Sequence, residues 1–117
     1  MKLTEVQFGT LVPVAGYGPG FFRVGDSRHD GALLIHPEGH SSWGGLDDLD
    51  ALLALAGQVD VIFLGMGEQV MHPPRALRLA LEEAGIGVEP MNTSAAARTY
   101  NVCLSEGRRV AAALLPV

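Results

Sequence analysis

Three sets of residues have types and spacings that bear on chemistry: Gly65-Met66-Gly67-Glu68, the histidines with Cys103, and the aspartates at 47, 48 and 50. Val61-Ile62-Phe63-Leu64 runs straight into the glycines, and Pro73-Pro74 stands where a helix would begin. This reads as a buried strand, a tight turn and a crossover helix. A dinucleotide site would need G-x-G-x-x-G opening the helix, with an acidic residue about 20 positions later on the ribose. Here Val70 holds the third glycine position, the helix starts several residues after Gly67, and Glu89 follows a broken motif. The turn is read as one that needs positive φ or close backbone approach, and no cofactor is expected.

A ligand site is still expected there. In open α/β sheets the crevice lies beyond the carboxyl ends of the strands. Gly65, Met66, Gly67 and Glu68 end one strand, and Thr93 and Ser94 follow another. If those strands are parallel neighbours, turn amides and hydroxyls converge on a pocket for a small molecule or anion. Ser94, Arg98, Asn101 and Ser105 form a polar stripe at helical spacing. The plain reading of such a stripe is a solvated face; the functional reading is a docking surface on Arg98 and Asn101, with Arg98 as anchor.

The other sets carry less. His36 and His40 are separated by Pro37 and Gly39, which excludes a helical ligand pair, and His29 and His72 add no metal-site spacing. No metal is expected. The aspartates open a helix, where the macrodipole favours negative charge. Cys103 falls on the apolar face of its helix, as packing rather than nucleophile. No Ser-His-Asp or Cys-His arrangement can be assembled, so no catalytic residue is assigned. Tyr17, Phe21, Phe22 and Trp43 read as core or loop packing.

The elements that position these groups follow from pattern. Val6-Gln7-Phe8 is a short alternating segment, and Tyr17-Gly18-Pro19-Gly20 a turn. Phe21–Val24 is a strand, Gly25-Asp26-Ser27 a turn, and Ala32–His36 a strand buried on both faces. His40 to Gly45 reads as a loop. A helix is expected over about 47–56, with Leu49, Leu52, Leu53 and Ala56 on one face and Gly57 ending it. Pro74 suits the first position of the next helix. Leu77, Ala80, Leu81 and Ala84 point inward in that helix, Arg78 and Glu82 pair outside, and Gly85-Ile86 close it. Ile86 to Met91 is a third strand, and Pro90 puts it at an edge or at its end. A helix capped within Asn92-Thr93-Ser94 runs to about Ser105 and buries Ala96, Tyr100, Cys103 and Leu104, and Val110 to Val117 is a final strand.

Composition sets the class. The 117 residues make one domain, 1–117, with a single core, 18% charged residues and a net charge of -5. Arg108-Arg109 is the one adjacent cationic pair, so nucleic acid is not expected as a partner. One cysteine permits no internal disulfide. The N-terminal residues lack a signal core, and the longest apolar run, Ala51 to Gly57, is too short for membrane insertion. A cytoplasmic protein is expected.

Gly16-Tyr17-Gly18-Pro19-Gly20-Phe21, Leu64-Gly65-Met66-Gly67 with Pro73-Pro74, Gly85-Ile86-Gly87-Val88-Glu89, and Asn92-Thr93 through Arg98-Thr99-Tyr100-Asn101 together resemble the Mth-nine-three-eight-like domain family. The resemblance covers nearly the whole chain. It implies a three-layer α/β fold with a mixed central sheet, about three helices and an N-terminal β-hairpin extension. Relatives in that family include a mitochondrial complex I assembly factor and an adipogenesis-associated protein. The family supplies no established catalytic residues, and it commonly carries an aliphatic residue where Cys103 stands. The resemblance implies a non-enzymatic interaction or assembly module with an unidentified protein partner. A small-molecule or anion-binding protein, with enzyme activity left open, is the alternative. Both readings admit a homodimer.

Overall fold

In the computed structural model, residues 11–117 are described; the segment expected at Val6-Gln7-Phe8 lies outside them. The strands are β1 (Val14–Gly18), β2 (Phe21–Val24), β3 (Ser27–Asp30), β4 (Leu33–His36), β5 (Gly39–Ser42), β6 (Val61–Gly65), β7 (Gly87–Met91) and β8 (Val110–Leu114). The helices are α1 (Leu49–Leu53), α2 (Arg75–Glu83) and α3 (Thr93–Ser105). β1-β2-β3 form a three-stranded antiparallel sheet, and a five-stranded sheet has the order β5-β4-β8-β6-β7. β6 is parallel to β7 and β8, whereas β4 is antiparallel to β5 and β8, so the large sheet is mixed.

The pleat sorts the apolar residues into two cores, because successive side chains point to opposite faces. Leu33, Ile35, Phe63, Ala112 and Leu114 face the first core, with Ala96, Tyr100, Cys103 and Leu104 of α3 and Val14, Phe22 and Val24 of the small sheet. Leu34, Ile62, Leu64, Ala111 and Ala113 face the second, with Leu52 of α1 and Leu77 and Leu81 of α2. Parallel crossovers are right-handed. A step from β6 out to β7 and a return past β6 to β8 therefore put α2 and α3 on opposite faces. The result is an α/β fold of three layers.

The helix ends follow the sequence closely. Asn92 caps α3 by accepting from the Ala95 amide at 2.8 Å. Gly85 and Gly107, at φ 86° and 77°, end α2 and α3 in Schellman motifs, with Ile86 N donating to Leu81 O and Arg108 N to Cys103 O. α2 begins one residue later than expected, with Pro74 as its cap. Helix α1 is shorter than expected: Leu55 and Ala56 donate to Leu52 and Leu53, a tightened last turn, before Gly57 at φ 83°. Asp48 caps it, accepting from Ala51 N and also from Gly44 N. Among the described residues the ion pairs are Arg28–Asp30 and Arg109–Asp60; the expected Arg78–Glu82 pair does not form.

Three strands depart from the sequence reading. The chain is already extended from Val14 to Gly18, so only Pro19-Gly20 turns. Ser27–Asp30 is a strand although Ser27 was expected to close a turn, and Gly39–Ser42 is a strand where a loop was expected from His40. Their side chains are almost all exposed and show no apolar alternation; main-chain pairing to β2 and β4 defines them. The expected hairpin extension is thus a full three-stranded sheet. β7 is an edge strand, as Pro90 implied. No helix among the described residues is long and apolar enough to cross a membrane.

Candidate functional site

β6 and β7 are parallel neighbours, so the glycine turn and the start of α3 meet at one end of the sheet. The turn is stitched on every side. Met66 N donates to Met91 O at 2.9 Å, Thr93 N to Gly67 O at 2.8 Å, and Leu115 N to Gly65 O at 2.9 Å. The Thr93 hydroxyl accepts from Gly67 N at 2.9 Å and donates to Leu115 O at 2.7 Å. That hydroxyl links the ends of β6 and β8 to α3. A Cβ on Gly65 would lie 2.8 Å from Leu114 Cδ2 and 3.0 Å from Thr93 Oγ1, so the position admits only glycine without rearrangement. Gly67 has φ 90°, the conformation its turn requires.

Above this turn lies an open cleft of about 330 Å³ lined by Tyr17, Gly67, Glu68, Asn92, Ser94 and Arg98. Arg98 Nη1 donates to Ser94 Oγ at 2.8 Å, bracing the guanidinium along the first turns of α3. Of the residues expected to contact a ligand, Gly67, Glu68 and Ser94 line this cleft. Gly65, Met66 and Thr93 do not: all three are buried, and their groups are spent on the turn itself. They are corrected from ligand contacts to framework.

The expected docking pair also separates. Arg98 is exposed in the cleft. Asn101 instead turns its amide to β1, accepting from Val14 N at 2.9 Å and donating to Val14 O at 2.8 Å. Tyr17, read from the sequence as packing, is 43% exposed and lines the cleft. The signal that could have found it was the glycine on either side of it, which leaves a lone aromatic without large apolar neighbours.

A roomier cleft of about 600 Å³ lies at the opposite end of β6 and β8, lined in part by His36, Glu38, Arg108 and Arg109. Its cations are engaged: Arg109 Nη2 donates to Gly57 O at 2.9 Å and sits 3.4 Å from Asp60, and Arg108 Nη1 contacts Cys103 Sγ at 3.3 Å. Partial burial lowers the His36 pKa below its ordinary value, against the opposing charge of Glu38. Cys103 is buried in the first core. The His29 and His40 rings meet edge to face at 6.1 Å. The described residues contain no group of three or more His, Cys, Asp or Glu able to hold a metal.

The mixed five-stranded sheet, three helices and small antiparallel sheet define an Mth938-like α/β domain. The solution structure of a Mth938-like domain protein of Bordetella pertussis matches with a TM-score of 0.77 at 31% identity, over 92% of this chain and 87% of that one. The chain belongs to the family described as "Protein of unknown function (DUF498/DUF598)", matched over residues 14–115. The crystal structure of an outer membrane protein from Bartonella henselae is similar with a TM-score of 0.84 at 35% identity, covering 94% of this chain and 98% of that one. An uncharacterized protein of Rhodobacter capsulatus is 56% identical over 117 residues, all of this chain and 94% of its own. NADH dehydrogenase [ubiquinone] 1 alpha subcomplex assembly factor 3 of Drosophila melanogaster is 30% identical over 97% of this chain, which spans 62% of that protein's length.

Proposed function

We propose that this protein is a non-enzymatic interaction module that docks a protein partner on the cleft bounded by Tyr17, Glu68, Ser94 and Arg98. The observation that carries the reading is that a half-exposed tyrosine and an exposed arginine line one open cleft. Tyrosine and arginine are the residue types most enriched where interface energy concentrates. The chain beyond Glu68 adds Val70 and Met71, 60% and 56% exposed, as apolar surface on the same loop. The assembly-factor name of the Drosophila relative supports the same class of role.

The test is co-purification at native abundance, with partners identified and then titrated against variants. Arg98→Ala and Tyr17→Ala are expected to weaken the association about tenfold or more, a loss of roughly 1.4 kcal/mol or more, with little change in unfolding temperature. A protein recovered alone, or variants that hold the partner as well as wild type, would overturn the reading. The proposal keeps the expected cytoplasmic location. Recovery in the membrane pellet, as the name of the Bartonella relative would suggest, would overturn that part.

A second reading, a small anion or metabolite in the same cleft, is favoured by Arg98 and Ser94 at the start of α3, where the helix dipole attracts negative charge. A ligand that binds the native state raises its unfolding temperature. A panel of phosphate and small carboxylates that leaves that temperature unmoved removes this reading.

A further inference from the structure

The outer face of the small sheet carries a cluster that neither the core nor the cleft uses. Phe22 and Val24 of β2 point into the first core, so Phe21 and Arg23 point outward. The β2–β3 register sets Arg28 directly opposite Arg23, and Asp30 opposite Phe21. The β1–β2 register sets Gly18 opposite Phe21 and Gly16 opposite Arg23, so β1 adds no side chain at those positions. The Phe21 ring lies across Gly18, where a Cβ would meet its Cε1 at 2.5 Å. Both guanidinium groups stand over that ring, Arg28 Cζ at 4.1 Å and Arg23 Cζ at 5.9 Å from its centroid. Tyr17 pairs with Phe22 and points the other way, so the Tyr17–Arg98 cleft lies on the opposite side of this sheet.

Like charges directly opposite one another on two strands destabilise a sheet. The face sets one carboxylate against its two cations: Arg28 Nε donates to Asp30 Oδ1 at 2.8 Å. Among the described residues, Arg23 and the Nη groups of Arg28 have no hydrogen-bonded or ion-paired partner. The Arg28 side chain remains 55% exposed. Its stacking on the ring and its bond to Asp30 fix the guanidinium, so little freedom is lost when a second carboxylate binds. A Cβ at Gly16 would meet nothing within 4 Å, which leaves room beside Arg23.

We propose that this face docks an acidic segment of a partner protein, with its carboxylates on Arg23 and on the Nη edge of Arg28. Charge selects the occupant. Each guanidinium fork matches a carboxylate bidentately. A nucleic acid needs a longer run of clustered cations than this pair, on a chain whose net charge is -5. The second charge of a phosphate group would also face Asp30.

NMR titration of the isotope-labelled full chain with a capped peptide alternating Glu and Val tests this; in an extended strand its carboxylates fall on one side. The Nε–H signals of Arg23 and Arg28 and the amides from Phe21 to Asp30 are expected to shift, and the shifts should fade as salt is raised. Arg23→Gln and Arg28→Gln should each weaken binding about fivefold, the scale of an exposed ion pair of good geometry. Asp30→Asn removes the competing carboxylate and should tighten it. A peptide alternating Gln and Val should shift nothing.

Neither arginine lies in the core, and the wild-type titration stands alone if a variant fails to fold. No shift at millimolar Glu peptide, equal binding of the Gln peptide or by the arginine variants, or no tightening by Asp30→Asn would each overturn the proposal. Shifts centred on Tyr17 and Arg98 would place the peptide in the cleft and overturn it, while leaving the reading of the cleft intact. Tighter binding of inorganic phosphate or a short single-stranded oligonucleotide would assign the cations to phosphate and overturn it as well.

Discussion

The Asn101 side chain forms two hydrogen bonds to the main chain of Val14, 2.9 Å from its amide and 2.8 Å from its carbonyl, across 87 positions of sequence. The side-chain amide has the donor–acceptor pattern of a peptide unit, so it pairs with Val14 as a neighbouring strand would. It ties the small sheet to α3 above the first core.

Asn101→Ala leaves both Val14 groups without that partner in a half-buried place. The expected cost is about 1–3 kcal/mol in denaturant unfolding, with faster exchange of the Val14 amide. Asn101→Asp keeps an acceptor for the amide but sets a carboxylate against the carbonyl, and should destabilise as well. If Asn101 were a solvated surface residue, both variants would unfold like wild type.

The turn at Gly65 predicts a sharp contrast. Thr93→Val preserves shape but strands the Gly67 amide and the Leu115 carbonyl, at an expected cost of about 2–4 kcal/mol. Thr93→Ser keeps the hydroxyl and should cost about 1 kcal/mol for the lost methyl. Gly65→Ala overpacks against Leu114 and Thr93 and should cost about 1–3 kcal/mol. Chemical denaturation of the three variants, ranked Val worst and Ser mildest at position 93, checks the stitching.

Tyr100 is fully buried in the first core, and its hydroxyl has no hydrogen-bond partner among the described residues. A buried unsatisfied hydroxyl is costly, so Tyr100→Phe is expected to raise stability by about 1 kcal/mol. Burial also pushes the phenol pKa up from its ordinary value of 10.0. The unfolded chain then loses the proton first as pH rises through about 10, the native state binds more protons, and stability falls. Thermal unfolding between pH 8 and 11 should show wild type losing stability at the alkaline end faster than Tyr100→Phe. Parallel pH profiles would show that this phenol is not the source.

The β6–α2–β7–α3–β8 half was legible because each signal there is local. The apolar run of β6, the glycines at 85 and 107 and the cap at Asn92 need no distant partner to be read. The parallel alignment of β6 and β7 brings Gly67, Glu68 and Ser94 to one cleft, whereas Gly65, Met66 and Thr93 are buried beneath it. β3 and β5 were not legible, since polar exposed strands owe their conformation to main-chain bonds with β2 and β4. A polar stripe at helical spacing likewise could not say which member faces solvent.

The sequence by itself determined the class of this protein: period and punctuation set the helices and buried strands of the second half with the glycine turn at a strand end, and the family resemblance, not spacing, implied the mixed three-layer sheet. Only the tertiary structure decided what the residues near that turn do. Thr93 and Asn101 could have faced a ligand or a partner on spacing alone. They face Gly67, Leu115 and Val14 instead, because a buried main-chain donor or acceptor must be satisfied, and these side chains are the groups the fold brings within reach. Arg98 and Tyr17, left over from that requirement, face the open cleft.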